Sequence, residues 1–227
     1  NLDLNRIFPG KIDGTPSQRL ARCLFDVVVA PADLLFTLHS WYSYGVTQDF
    51  IECAPMESPV ATEAFHAAIA SGFERIRVTD WPEGLLARVA LAAGVPAIEA
   101  EIGAQGESLP ENRLRYCEHI RRLLRHLRMI EGTSSVSAPE LWSACHVLAP
   151  LGGLMRRRVE LGADVEAGSI LATIHDLHDR LLAEVTAPWD GCIGAHRTFV
   201  SVNPGDNLFT IFKRISPKTE ATVRKDS

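Results

Sequence analysis

Residues 33–40 read Asp-Leu-Leu-Phe-Thr-Leu-His-Ser, a mostly apolar run that ends on a histidine and a serine. Such a run is typical of a strand that is buried on both faces of a parallel sheet. Residues 96–103 read Pro-Ala-Ile-Glu-Ala-Glu-Ile-Gly and predict another strand. Buried strands that alternate with helical patterns indicate an α/β fold with a mostly parallel sheet.

Helical patterns surround these two strands. We predict helices over 18–29, 59–70, 83–93 and 110–130, and a further strand over 73–78. In the first helix, four apolar side chains recur at helical spacing and are expected to face the core: Leu20, Leu24, Val27 and Val28. The alternation over residues 1–132 therefore predicts one α/β domain.

The pattern changes after Gly132. Residues 133–137 read as a linker, and residues 138–214 contain short apolar runs separated by Gly, Pro and Asp. Runs at this spacing predict a small all-β module, with strands over 146–149, 153–159, 170–175, 181–186, 191–195, 199–202 and 208–212. Residues 215–227 are mostly polar and predict a disordered tail.

Composition excludes several classes of protein. Of the 227 residues, 46% are apolar and 22% are charged, which is typical of a globular chain. The net charge of −5 gives no electrostatic reason to bind nucleic acid. No stretch approaches the roughly 18–20 apolar residues of a membrane span, so we expect no membrane partner. Five cysteines without a CxxC pair predict reduced thiols and a cytoplasmic location.

Two of the strands end on residues suited to chemistry. His39 ends the first strand, where a neutral imidazole is a natural metal ligand, although a histidine packed in the core is an equal alternative. Alternation along the other strand puts Glu99 and Glu101 on one face. Glu101 is nearer the end of that strand and is the better candidate base, the alternative being a solvent-facing edge strand.

A third motif, Asp-Leu-Asn-Arg-Ile-Phe-Pro-Gly, occupies residues 3–10. Asn5 offers an amide and Arg6 a planar guanidinium fork, which together suit a carboxylate or a polarised carbonyl. The alternative is a turn that carries an ordinary surface arginine. The residues alone leave both interpretations open.

The order of these three motifs resembles that of the succinylglutamate desuccinylase/aspartoacylase family, which belongs with the zinc carboxypeptidases in fold and chemistry. The resemblance extends to about residue 214. It implies a mostly parallel sheet with helices, followed by a biotinyl/lipoyl-like β sandwich over 138–214. It also implies a zinc-dependent deacylase that hydrolyses the amide bond of an N-acyl amino acid or a similar small molecule.

Carried over by motif, the resemblance implies that His39 is a zinc ligand and that Glu101 is the general base. It implies that Asn5 and Arg6 bind the substrate. Two features depart from the family pattern. Thr37 stands where the family usually has an Asp, two residues before the histidine. The family's other two zinc ligands come from a His-x-x-Glu motif upstream of the Asn-Arg pair, which these 227 residues do not contain.

Because one ligand of three cannot hold a catalytic zinc, we expect residues 1–132 to be an N-terminally truncated catalytic domain. Two other functions stay open on the sequence. One is a non-catalytic remnant of the fold, and the other is a metal-free protein that binds a small acid through Asn5 and Arg6. The oligomeric state also stays open, and a homo-oligomer is compatible with the sequence.

Overall fold

The computed structural model describes residues 3–107 and 109–215. Its α-helices are numbered in chain order: α1 (Pro16–Leu24), α2 (Pro59–Ser71), α3 (Leu86–Ala92) and α4 (Pro110–His126). Its strands are β1 (Leu35–His39), β2 (Gly45–Thr47), β3 (Phe50–Cys53), β4 (Arg75–Val78), β5 (Ala97–Glu101), β6 (Glu140–Leu148), β7 (Gly153–Arg157), β8 (Asp164–Val165), β9 (Ile170–His175), β10 (Leu181–Thr186), β11 (Gly191–Arg197), β12 (Ser201–Val202) and β13 (Asn207–Arg214). A short 3-10 helix spans Leu4–Arg6 and a π-helical turn spans Phe25–Val29.

The described chain divides into two compact units, each made of segments that are separate in sequence. The first contains residues 3–39, 50–100 and 116–139. The second contains residues 40–49, 101–107, 109–115 and 140–215. The division cuts strand β5 between Ala100 and Glu101. Most of strand β5 belongs to the first unit, which holds four of its five residues.

The sheet of the first unit has the strand order β1-β5-β3-β4. Strands β3 and β4 are parallel. Strands β1 and β5 run in the same direction, because Leu35 N donates to the Pro96 carbonyl at 2.8 Å and Thr37 Oγ1 to the Ile98 carbonyl at 3.4 Å. The expected α/β unit with a parallel sheet is therefore present. In such a sheet the carboxyl ends of neighbouring strands meet at one edge, where ligands usually bind.

The first helix buries a different face from the one that the sequence predicts. It begins with a capping box, in which Thr15 accepts from the backbone of Gln18 and Gln18 caps Thr15 in return. The buried side chains of this helix and of the π-helical turn are spaced four residues apart: Ala21, Phe25 and Val29. The side chains that were expected to face the core are exposed by 38–69%: Leu20, Leu24, Val27 and Val28. Apolar residues lie on both faces here, and spacing alone does not select between them.

Helix α4 is shorter than predicted. It ends at His126 rather than near residue 130, and Arg128 follows with a φ of +57°. Leu123 is buried, but Leu114 and Leu127 are 67% and 42% exposed. Leu114 and Leu127 therefore lie outside the core, although leucines spaced along an amphipathic helix usually face it. None of the helices in the described residues is both long enough and apolar enough to cross a membrane.

The second unit is built from antiparallel strands. One set follows the order β6-β13-β11-β2, with β8 also paired to β11, and the other follows β10-β9-β7-β12. Both sets contribute to one apolar core that includes Met155, Leu171, Ile193 and Phe209. Every regular element between residues 140 and 215 is a strand, as the short, evenly spaced runs predict. The predicted tail from residue 216 onward lies outside the described residues.

Gly84→Ala should destabilise the first unit by about 1–3 kcal/mol. Gly84 has a φ of +77°, and a Cβ there would lie 2.2 Å from the Arg6 carbonyl oxygen. Gly94→Ala is the matched control, because Gly94 has a φ of +88° but has open space around the added carbon. Urea unfolding should show a larger loss for Gly84→Ala. Equal losses at the two positions would mean that the contact with Arg6 is of no consequence.

Candidate functional site

Four ionisable side chains lie on adjacent strands of the first unit, near the carboxyl ends of those strands. They are His39 on β1, Glu99 on β5, Glu52 on β3 and Arg77 on β4. Glu52 and Arg77 are direct partners in the β3–β4 register. Charged groups at this depth are costly unless they are paired or used. The two carboxylates in the group, those of Glu52 and Glu99, differ in how they are paired.

Glu52 is fully paired. Its Oε1 accepts from Arg77 Nη1 at 2.6 Å, and its Oε2 accepts from Trp81 Nε1 at 2.9 Å. The side chains of Glu52 and Arg77 are 9% and 15% exposed, so water screens the pair only weakly. Because both carboxylate oxygens are engaged, Glu52 serves to order the sheet edge.

His39 and Glu99 face each other without such pairing. His39 Nε2 lies 3.7 Å from Glu99 Oε2, and their side chains are 30% and 8% exposed. Within the described residues, neither of these two atoms has a hydrogen-bond partner. Glu101, two residues further along β5, offers a carboxylate oxygen to the same group. The ligand atoms of His39, Glu99 and Glu101 all lie within 4.8 Å of one another.

Burial shifts the pKa values of His39 and Glu99. It lowers the pKa of His39, and the positive charge of Arg6 adds to that effect although Glu52 opposes it. Burial also raises the pKa of Glu99 to about 7, with the negative charge of Glu52 as the next cause. The imidazole is thus neutral at neutral pH, which is the form that binds metals.

The Asn-Arg motif reaches the same place. Asp3 Oδ1 accepts from the Asn5 backbone N–H at 2.9 Å, which begins the 3-10 turn. Asn5 Oδ1 accepts from the Leu86 N–H at 2.8 Å, and the Asn5 side chain also hydrogen-bonds Glu99. Arg6 is exposed, and its Nη1 donates to the Asn5 carbonyl at 2.6 Å. The three sequence motifs therefore converge on one edge of the sheet.

Several residues at this edge were not singled out by the sequence. Tyr116 of α4 places its hydroxyl at the His39 carbonyl and 2.9 Å from the Ala100 carbonyl, so that it links the ends of β1 and β5. Glu52 and Trp81 were also missed. A sequence signal existed for Glu52, because a carboxylate inside the apolar run Phe-Ile-Glu-Cys resembles the pattern around Glu99. Tyr116 has no comparable signal in its helix.

Tyr116→Phe should destabilise the first unit by about 1–3 kcal/mol, because two carbonyls at the strand ends lose the same hydroxyl. Tyr42→Phe is the control, since Tyr42 is 43% exposed. Urea unfolding of both variants measures the difference. If Tyr116→Phe is as stable as the control variant, the hydroxyl does not hold the strand ends together.

The donor atoms at this edge fit a divalent metal such as zinc. One neutral imidazole and carboxylate oxygens are ligand types that zinc accepts. The exposure of His39 also leaves the group open to a ligand on one side. Glu99 is a further carboxylate beside His39 that the sequence did not single out as a site residue.

Sequence comparison relates the chain to a curated deacetylase. No protein-family model matches the chain. The N-alpha-acetyl-L-2,4-diaminobutyric acid deacetylase of Halomonas elongata is 29% identical over an alignment of 223 residues. That alignment covers 92% of this chain and 64% of the deacetylase. The chain therefore spans less than two thirds of the length of this curated relative.

Solved structures share the fold. The product-bound ectoine utilization protein EutE (DoeB) from Ruegeria pomeroyi matches with a TM-score of 0.84 and 22% identity, covering 92% of this chain and 67% of that one. A succinylglutamate desuccinylase/aspartoacylase from Rhodobacter sphaeroides matches with a TM-score of 0.84 and 23% identity, covering 94% and 68%. The chain is therefore a relative of the succinylglutamate desuccinylase/aspartoacylase family and has the fold of its members.

Proposed function

We propose that this chain is part of a zinc-dependent deacylase that hydrolyses the amide bond of an N-acyl amino acid. The observation that supports the proposal most directly is the meeting of His39, Glu99 and Glu101 within 4.8 Å. The Asn5-Arg6 motif lies beside this group and supplies a site for the polar end of a substrate. A metal ligand, a base and an anion-binding group are the parts that amide hydrolysis at a metal needs.

Zinc, when bound, polarises the acyl carbonyl and lowers the pKa of water toward neutrality. In this proposal His39 supplies one ligand through its neutral imidazole. The family resemblance assigns two further ligands to a His-x-x-Glu motif, which these 227 residues do not contain. The proposal therefore concerns the protein in which this chain is joined to such a segment.

Glu101 is the general base in the proposed reaction. Its carboxylate takes a proton from the attacking water and returns it to the nitrogen of the leaving amine. Its position at the end of β5 puts it beside His39. The same carboxyl group thus serves first as base and then as acid.

Arg6 and Asn5 position the substrate. The exposed guanidinium of Arg6 can hold a carboxylate of the N-acyl amino acid through its planar fork. Asn5 shares this task and also fixes the turn through Leu86. Fixing the carboxylate brings the scissile carbonyl to the reacting groups and lowers the entropic cost of the reaction.

The test is release of the free amine from a panel of N-acyl amino acids by the zinc-loaded protein. The panel begins with N-acetylated diamino acids, because the Halomonas relative deacetylates N-alpha-acetyl-2,4-diaminobutyric acid. We expect hydrolysis that EDTA abolishes and zinc restores. His39→Ala should remove it, whereas His66→Ala, which alters an exposed histidine of α2, should not. Hydrolysis that survives both EDTA and His39→Ala would contradict the proposal.

A further inference from the structure

Glu99 is a buried carboxylate for which the proposed hydrolysis has no assigned use. Its side chain is only 8% exposed. The nearby Arg77 pairs with Glu52 at 2.6 Å, so it is not the partner of Glu99. Asn5 supplies a hydrogen bond. A carboxylate in such a setting costs free energy unless it serves another group.

The group that Glu99 faces is the imidazole of His39. The Glu99 Oε2 to His39 Nε2 distance is 3.7 Å, and neither atom has a hydrogen-bond partner among the described residues. Hydrogen bonds at catalytic centres are often this long before ligands bind. A neutral imidazole has one N–H and one lone pair, and a carboxylate beside one nitrogen favours the proton there.

We propose that Glu99 is a positioning residue, which keeps the imidazole proton of His39 on Nε2 and so presents Nδ1 to the metal. This inference rests on the proposed function, because it assigns His39 to a metal. It adds a residue and a specific ligand atom to that site. Histidine ligands in metal sites commonly donate their other N–H to a carboxylate, which fixes the ring and makes it a better ligand.

Thr37, on the strand that carries His39, has no charge with which to orient the imidazole. Thr37 lies two residues before His39, where the resembling family usually has Asp, and its hydroxyl donates to the Ile98 carbonyl at 3.4 Å. Thr37 therefore holds the backbone of β5 and offers no charge to His39. Glu99 follows Ile98 on that strand and provides the carboxylate from the neighbouring position in the sheet.

The tautomer of His39 tests this inference directly. Long-range 1H–15N spectra of the 15N-histidine-labelled chain, recorded without metal at pH 8, distinguish a proton on Nε2 from one on Nδ1. The His39 signals are assigned by their loss in His39→Gln. We expect the Nε2–H tautomer to dominate in the wild type. In Glu99→Gln the amide can donate as well as accept, so we expect the Nδ1–H form to gain population.

Glu63→Gln is the control, because it alters an exposed carboxylate of α2 in the same unit. It should keep the wild-type tautomer. In the zinc-binding protein, Glu99→Gln should also weaken zinc binding roughly 10–100-fold. A dominant Nδ1–H form in the wild type, or an unchanged tautomer in Glu99→Gln, would overturn the inference. Because the spectra are taken without metal, they do not depend on whether the protein hydrolyses amides.

Discussion

Glu101→Gln should lower the turnover number of the proposed zinc-dependent deacylase roughly 10²–10⁴-fold, the range expected for loss of general acid–base catalysis. Glutamine has nearly the same shape but cannot take a proton from water. Zinc content and KM should change little, because His39 and Arg6 are unaltered. Steady-state kinetics and metal analysis of the same preparation measure both quantities.

Glu107→Gln is the control for this substitution. Glu107 follows the same strand but is exposed, so its amide variant should keep the wild-type turnover. If Glu101→Gln keeps full turnover with zinc bound, Glu101 is not the base. If it loses zinc and turnover together, Glu101 is a ligand instead.

The sequence alone predicts the parts of this fold that depend on local pattern. The apolar run that ends at His39 and the alternating run that contains Glu99 and Glu101 both form strands, β1 and β5. Their polar residues were expected near strand ends, and the structure brings them together. Such residues can be recognised in a sequence because a charged residue within an apolar run would be buried at a cost in free energy. That cost suggests that the residue is paired or has a function.

The missed parts depend on tertiary contacts. Strand β3 has only four residues, all of them buried, and Glu52 interrupts its apolar character. No local pattern shows that Glu52 would find Arg77 and Trp81, since these partners lie 25 and 29 residues away. Tyr116 similarly reaches the ends of β1 and β5 from a helix. Long-range hydrogen bonds of this kind decide which polar residue is structural and which is available to a ligand.

Glu99→Gln should change the free energy of unfolding of the metal-free chain more favourably at pH 8 than at pH 4. The difference between the two effects should be about 3 kcal/mol. Burial, and then the charge of Glu52, raises the pKa of Glu99 from 4.5 to about 7 in the folded state. Between pH 4.5 and 7 the folded protein therefore binds a proton that the unfolded chain has released. The free energy of unfolding falls as pH rises through this window. A pKa difference of this size corresponds to about 3 kcal/mol.

Glutamine does not titrate, so the variant escapes this loss, and the difference between the two proteins should grow from pH 4 to pH 8. Urea unfolding in EDTA at both pH values measures it, with Glu184→Gln as the control because Glu184 is exposed on β10. A difference in the free energy of unfolding that is the same at both pH values would show that folding does not raise the pKa of Glu99. With the tautomer experiment, the expected result makes Glu99 costly to stability yet useful to His39, as is common for residues that hold a functional site in place.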